Sequence, residues 1–239
     1  MRALIILGIT LTSLVAWNQN VTDSQGRKQG EWIKRSDDGK RVIYKGTFKN
    51  DKPVGKFFYY YPQGNVSTVL EHLGEGKSKC RMYHSNGSIM AVGNYIDQKK
   101  DSTWWYFNDK KIILKQENYK NGVLDGAHIN YFPLNEKKPR IAEEVYYRNG
   151  RKEGPWKQYF LSGKIKAICT YKMGLRQGKI IYYFESGEKD VEGYYKDGLK
   201  NGYWTFTNEE GDKEKHYYLR DKEIKGEELE KHLQSLKNK

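Results

Sequence analysis

One residue type returns along this chain at a nearly constant spacing, and this constrains the fold more than any other feature. Successive positions lie 23 to 28 residues apart. Glycine holds most of them and serine holds the other two, and we call them ladder positions: Gly30, Gly55, Ser78, Ser102, Gly126, Gly154, Gly178, Gly202 and Gly226. A fixed period in the twenties indicates a repeat array, in which each unit stacks on its neighbours.

The residues between ladder positions predict the structure of one repeat. Asn-Gly and Asp-Gly pairs, such as Asn149-Gly150 and Asp197-Gly198, supply the positive φ angles that tight hairpin turns need. Runs rich in Tyr, Phe, Trp, Val and Ile between them favour strands. We predict an all-β protein, an elongated single twisted antiparallel sheet of stacked β-hairpins of about 24 residues each. Structural repeat turns are predicted at Gly30, Gly55, Gly126, Gly154, Gly178 and Gly202.

Aromatic residues recur in register with the ladder. Two residues after each ladder position from Gly30 to Gly202 come Trp32, Phe57, Cys80, Trp104, His128, Trp156, Ile180 and Trp204. Seven residues before a ladder position come Phe48, Tyr95, Tyr119, Tyr147, Tyr171 and Tyr195. Stacked hairpins place equivalent positions side by side, so these residues predict aromatic columns that form the core. The alternative is an exposed aromatic stripe that grips a ligand.

Composition divides the chain into four segments. Residues 1–16 carry Arg2 and then an apolar run, which is typical of a secretory signal peptide. Residues 17–25 are predicted to be an N-terminal linker, residues 26–226 the array, and residues 227–239 a short capping helix and tail. We therefore expect an exported protein in the periplasm, the cell envelope or the extracellular space, with an uncleaved membrane anchor as the alternative.

The charge of the chain indicates which classes of partner to expect. The formal charge is +13, which favours an anionic membrane or envelope polymer, although lysines on turns and sheet edges also keep a β-protein soluble. No nucleic-acid partner is expected, because no recognised binding module is present.

Cys80 and Cys169 lie three to four repeats apart, too far for a disulfide, so two free, half-buried thiols are predicted.

The sequence offers little that resembles catalytic chemistry. The five histidines are scattered over different repeats, and Cys80 and His84 would lie about 13 Å apart on one strand, too far to share a zinc ion. Gly76-Lys77-Ser78 lacks the upstream glycine of a phosphate-binding loop. We therefore predict no enzyme activity, no metal, no cofactor and no small-molecule substrate.

The repeated Tyr-x-Asn/Asp-Gly-x-x-x-Gly-x-Trp frame resembles MORN-type repeats. It is clearest from Tyr147 to Trp156 and from Tyr195 to Trp204. The frame is especially similar to the bacterial MORN variant of exported proteins and of the YwqK family of antitoxin-like proteins. The resemblance covers nearly all of residues 26–226. It implies a sheet of consecutive hairpins that binds a protein or a phospholipid membrane, or that neutralises a toxin by binding.

The function expected from these observations is a non-enzymatic scaffold that binds a macromolecular partner, a protein, along one face of the sheet. The candidate contacts are Trp104, Trp105, Tyr106 and Lys110, because one face of a strand cannot bury the whole Trp-Trp-Tyr-Phe run. The alternatives are binding of anionic phospholipid or envelope polymer by the basic surface, and an antitoxin-like role.

Overall fold

A computed structural model describes residues 19–238 of the protein. The predicted signal peptide lies outside the described residues. The strands are β1 (Val21–Thr22), β2 (Lys28–Arg35), β3 (Val42–Lys49), β4 (Lys52–Tyr60), β5 (Val66–Gly74), β6 (Lys77–Tyr83), β7 (Ile89–Ile96), β8 (Lys99–Phe107), β9 (Ile113–Lys120), β10 (Val123–Tyr131), β11 (Ile141–Arg148), β12 (Arg151–Tyr159), β13 (Ile165–Lys172), β14 (Leu175–Tyr183), β15 (Lys189–Lys196), β16 (Leu199–Thr207), β17 (Lys213–Leu219) and β18 (Lys222–Ile224). One helix, α1 (Gly226–Lys237), follows them.

The strands form one open antiparallel sheet in the order of the chain. Each strand pairs with the next one along the chain, from β1 with β2 to β17 with β18. Extensive contacts join only consecutive strands, so the sheet grows in one direction. The predicted array of stacked hairpins with a short C-terminal helix is confirmed. Among residues 19–238, no helix has the length and apolar character needed to cross a membrane.

Two kinds of turn alternate along the array. Eight connections, from Asn50-Asp51 to Arg220-Asp221, are two-residue turns in which both residues have positive φ. Mirror-image turns of this kind match the twist of antiparallel strands. The connections at the other sheet margin are longer, and several close on a glycine such as Gly163, whose N–H donates to the carbonyl of Phe160.

The ladder glycines are not at turns, and their predicted placement was wrong. All have positive φ as expected, but from Gly30 to Gly202 they lie inside strands. Most occupy bulges. Between β11 and β12, for example, Val145 pairs with Trp156 and Tyr147 with Lys152, so three residues around Gly154 face one residue of the neighbouring strand. A bulge needs a residue that tolerates positive φ, and it increases the local twist of the sheet.

The core lies on one side of the sheet, which we call the aromatic face. It carries the residues two positions after each ladder position, and Trp104, Trp204 and Ile180 are fully buried there. Three of these rings lie directly over glycines of the preceding strand. A Cβ built on Gly193 would lie 2.2 Å from the Trp204 ring, and one on Gly46 would lie 2.4 Å from the Phe57 ring. These glycines are required because the rings occupy the space of a side chain.

The two ends of the sheet are covered differently. At the first end β1 pairs with only two residues of β2, and the Asn20 side chain continues the pairing. Its amide nitrogen donates to the Ile33 carbonyl at 3.1 Å, and its oxygen accepts from the Ile33 N–H at 2.7 Å. At the last end α1 packs on the side opposite the aromatic face, where His232 contacts Tyr217 with ring centroids 5.6 Å apart.

Candidate functional site

A column of cations runs along the aromatic face. Its members lie two residues before their ladder positions, and the charged end of each lies over aromatic rings: Lys28, Lys100, Lys152, Arg176 and Lys200. A cation within about 6 Å of a ring centroid is attracted by the negative charge of the ring face. The cationic side chains of the column therefore cover the rings of the aromatic face. In the sequence the column is visible as Lys or Arg at one fixed repeat position, but these residues were not among the predicted site residues.

The complete form of this cation–π site uses three rings. Lys200 Nζ lies 4.6 Å from the Trp204 centroid, 4.7 Å from that of Tyr218 and 5.9 Å from that of Phe206. Lys100 repeats the arrangement with the rings of Trp104, Tyr119 and Tyr106, at 4.6, 5.0 and 5.3 Å. Two rings come from positions two and four residues after the ladder position, and the third comes from the next strand.

The column is interrupted in the repeats of Gly55, Ser78 and Gly126. The residue two positions before the ladder position is Pro53, Gly76 or Leu124, so none of the three supplies a cation. Within residues 19–238 no lysine or arginine lies over the Phe57 or Tyr59 ring. An open groove of about 1080 Å³ lies at the first two of these positions. We call it the aromatic groove, and its apolar lining includes Tyr44, Phe48, Phe57, Tyr59, Leu70, Cys80, Met82 and Tyr95.

The groove is close to electrically neutral, unlike the chain as a whole. Lys52 and Lys77 line its margin together with Glu75 and Asp97, and Lys77 pairs with Glu75 at 3.0 Å. His72 also lines the groove, and its Nδ1 lies 3.0 Å from the Ser78 hydroxyl oxygen. Burial lowers the pKa of His72, so its ring is uncharged at neutral pH. The excess positive charge of the protein therefore lies elsewhere.

A second, smaller pocket of about 400 Å³ lies on the opposite face near α1. Its lining includes Tyr194, Tyr203, Lys179 and Glu192. Lys179 and Glu192 form an ion pair at 3.0 Å, and Tyr194 and Tyr203 are about half exposed.

The structure does not bring the predicted contact residues together on one surface. Trp104 is fully buried in the core, so it cannot contact a partner directly. Tyr106 lies on the same face, where its hydroxyl oxygen accepts a hydrogen bond from Lys100 Nζ at 2.8 Å. Trp105 is half-buried on the opposite face, and Lys110 is exposed in the turn after β8. Alternation along β8 separates the two tryptophans, so the run of aromatic residues contributes to both faces.

A buried acid divides the core next to the groove repeats. Glu117 is 5% exposed and lies between the cluster around Trp104 and the larger cluster around Trp156 and Trp204. It accepts hydrogen bonds from Lys115 at 2.7 Å and from the Tyr119 hydroxyl at 2.8 Å. Burial acts to raise the pKa of Glu117, but these donors outweigh it and hold that pKa below its usual range. Glu117 is thus a paired structural charge.

Both cysteines are free, as predicted, but they are fully buried rather than half-buried. Cys80 is 2% exposed and Cys169 is 7% exposed. Burial raises the pKa of each thiol to about 11. Neither thiol is therefore ionised at neutral pH, and both serve as small core residues.

Comparison with known proteins gives one family match. Residues 152–173 match the family model described as MORN repeat variant. No curated protein matches the chain. Among solved structures, the "Crystal structure of GtfA/B complex" matches with 15% identity and a TM-score of 0.25 over 58% of this chain. The chain spans 22% of the length of that protein chain. The matched repeat, together with the hairpin array, supports a MORN-type repeat protein.

Proposed function

We propose that the chain is an exported, non-enzymatic repeat scaffold that binds another protein along the aromatic face of its sheet. The aromatic groove carries this proposal. In this part of the aromatic face, no lysine or arginine of residues 19–238 lies over the Phe57 or Tyr59 ring. Aromatic residues and methionine are enriched at protein–protein interfaces, and the groove presents both.

The shape of the groove favours a protein segment over a small molecule. It is an open groove that crosses β3 to β7, and these strands hold their positions through continuous pairing. An extended chain can lie in such a groove and place side chains into it at several repeats. Rigid walls lower the conformational entropy that is lost on binding.

Two parts of the proposal rest on the sequence. Export rests on Arg2 and the apolar residues 3–16, and the exclusion of catalysis rests on the MORN-type repeat. The similarity to YwqK-type repeats supports a narrower form of the function, in which the partner is an exported toxin that the scaffold neutralises by binding.

The second candidate function is binding of an anionic membrane or envelope polymer, which the net charge of +13 favours. The two candidates differ in salt dependence, because exposed charges are screened within about 8–10 Å at physiological ionic strength. Pelleting with anionic vesicles that is lost at high salt would favour this second candidate. A protein held by rings in the groove should stay bound.

Two matched threonines test the proposed function. Thr68 lines the groove from β5, and Thr47 lies exposed on the opposite face of the sheet, in β3. A photo-reactive phenylalanine at position 68 should form a covalent adduct with the partner protein, whereas the same residue at position 47 should not.

The adduct partner is then tested with arginine variants. Thr68→Arg should weaken its binding by about tenfold or more, because a bulky charge fills the groove, and Thr47→Arg should leave binding unchanged. Equal weakening by both variants would contradict binding in the groove, provided that both variants unfold at the same denaturant concentration as the wild type.

A further inference from the structure

The aromatic groove contains a cation–π site from which only the cation is missing. The pairing register identifies its parts. Gly55 pairs with His72 in the same way that Gly202 pairs with Tyr218, so Phe57, Tyr59 and His72 are the counterparts of Trp204, Phe206 and Tyr218. Pro53 stands where the equivalent repeat has Lys200.

The ring geometry is also retained. The Phe57 and His72 rings meet edge to face at 89°, with centroids 5.1 Å apart. Trp204 and Tyr218 meet at 74°, with centroids 6.1 Å apart. The backbone thus holds the rings in nearly the same arrangement whether or not the repeat contains a lysine.

We propose that the groove accepts a lysine or arginine side chain from an extended segment of the partner protein, which takes the position that Lys200 holds in its own repeat. This inference rests on the proposed function and specifies the chemistry of the partner. The ammonium or guanidinium group lies against the partly exposed rings of Tyr59 and His72, next to buried Phe57, and the aliphatic stem lies along Leu70 and Met82.

The charges around the groove support a cationic occupant. Asp97 lies directly above Gly76, the second position where the column lacks a cation. Among residues 19–238, Asp97 has no cationic partner within 4.0 Å. The neutral ring of His72 adds no repulsion at neutral pH. The faces of aromatic rings repel anions, so a phosphate group or an acidic side chain is the wrong ligand for this site.

The decisive experiment compares three peptides that differ at one residue. An acetylated, amidated Ala-Leu-Lys-Leu-Ala peptide is titrated into the full chain, and binding is followed by NMR. The matched peptides carry norleucine or glutamate in place of the lysine. We expect the lysine peptide to bind about 2-fold to 30-fold more tightly than the norleucine peptide, and the glutamate peptide to bind most weakly. The shifted resonances should belong to groove residues.

Two lysine substitutions at the same repeat position provide the matched control. Pro53→Lys gives the groove a cation of its own and should abolish the preference for the lysine peptide. Leu124→Lys adds the same charge at the equivalent position of the Gly126 repeat, outside the groove, and should leave the preference intact. If the preference survives Pro53→Lys, or is lost equally in both variants, the inference is wrong.

Failure of this inference can be distinguished from failure of the proposed function. Equal binding of the lysine and norleucine peptides in the groove would overturn the inference and leave the groove as a binding surface. The absence of shifts in groove residues with every peptide up to about 10 mM would also overturn it. Cross-linking at position 68 would then decide the proposed function independently.

Tyr59→Leu keeps an apolar side chain but removes a ring, and it should reduce the lysine preference without unfolding the protein.

Discussion

The hairpin strands β16 and β17 and the strands β4 and β5 use the same pairing register, yet one region is closed core and the other is an open groove. In the first, Lys200 covers Trp204 and Tyr218, and Trp204 is only 2% exposed. In the second, Pro53 replaces the lysine, Phe57 is still only 3% exposed, and a groove lies beside the partly exposed Tyr59 and His72. Two repeats can therefore share one strand-pairing register and differ in whether a lysine covers the rings.

The largest difference between the two regions is expected when a methyl group is added beneath the ring in each. Gly193→Ala and Gly46→Ala each place a Cβ within about 2.5 Å of a ring, that of Trp204 or that of Phe57. Trp204 is confined by Lys200 and Phe206, whereas Phe57 borders the groove and has no cation over it. We expect Gly193→Ala to lower the free energy of unfolding by about 3 kcal/mol and Gly46→Ala by about 1 kcal/mol.

Urea unfolding followed by tryptophan fluorescence measures both variants. Neither Gly46 nor Gly193 has a positive φ, so alanine is compatible with the backbone at both positions and each loss reports the contact with the ring. If Gly46→Ala proves as destabilising as Gly193→Ala, the groove does not give Phe57 room to move.

The reactivity of the two thiols should also differ between the groove region and the larger core cluster. With a pKa of about 11, each should react with an alkylating reagent at pH 8 about a hundredfold more slowly than an unperturbed cysteine. As urea is added, Cys80 should become labelled before Cys169, because Cys80 lines the groove and Cys169 belongs to the larger core cluster.

Mass spectrometry of the two cysteine-containing peptides after brief alkylation provides the measurement. Cys80→Ser should leave the labelling of Cys169 unchanged. Simultaneous labelling at every urea concentration would show that the array unfolds as one unit and that the groove region is not its weaker part.

Removing the cation from a complete site should have a smaller effect. Lys200→Met keeps the length and the apolar stem but removes the charge over Trp204, Phe206 and Tyr218. We expect a loss of about 1 kcal/mol in the free energy of unfolding. Lys196→Met on the neighbouring strand, where lysine has no ring partner among the described residues, should change it little, and an equal loss there would argue against a cation–π contribution.

The smallest effect concerns two histidines whose surroundings differ. Hydrogen bonding to Glu223 raises the pKa of His216, whereas burial lowers the pKa of His72. The stabilisation from protonated His216 should be complete below its ordinary pKa of 6.5 and be lost as pH rises through its folded value. His72 has the opposite sign, because its contribution is complete above pH 6.5 and is lost as pH falls.

Histidine resonances followed by NMR from pH 5 to pH 8 would test these directions. The variant Glu223→Gln should move the pKa of His216 downward and leave that of His72 unchanged. A His72 that titrates above His216 would contradict the environments assigned to both.

The sequence predicted the array well because its signal repeats. Hairpins, alternation and the C-terminal helix follow from residues that recur in register, such as Asn149-Gly150 and Asp197-Gly198. The ladder glycines were misplaced because positive φ is required at a bulge as much as at a turn. The groove was not predicted, because the sequence marks it only by Pro53, which stands where several other repeats have a lysine or arginine. Only the folded register shows that His72 stands where other repeats have a tyrosine.

Asn20 gives the array a defined beginning. Its side chain satisfies both polar backbone groups of Ile33, which would otherwise face outward from the first long strand. A second molecule arriving at this edge would have to displace that amide before it could add a strand. The array should thus resist growth into fibres by edge-to-edge addition, even at high concentration, and its length is set by the number of repeats in one chain.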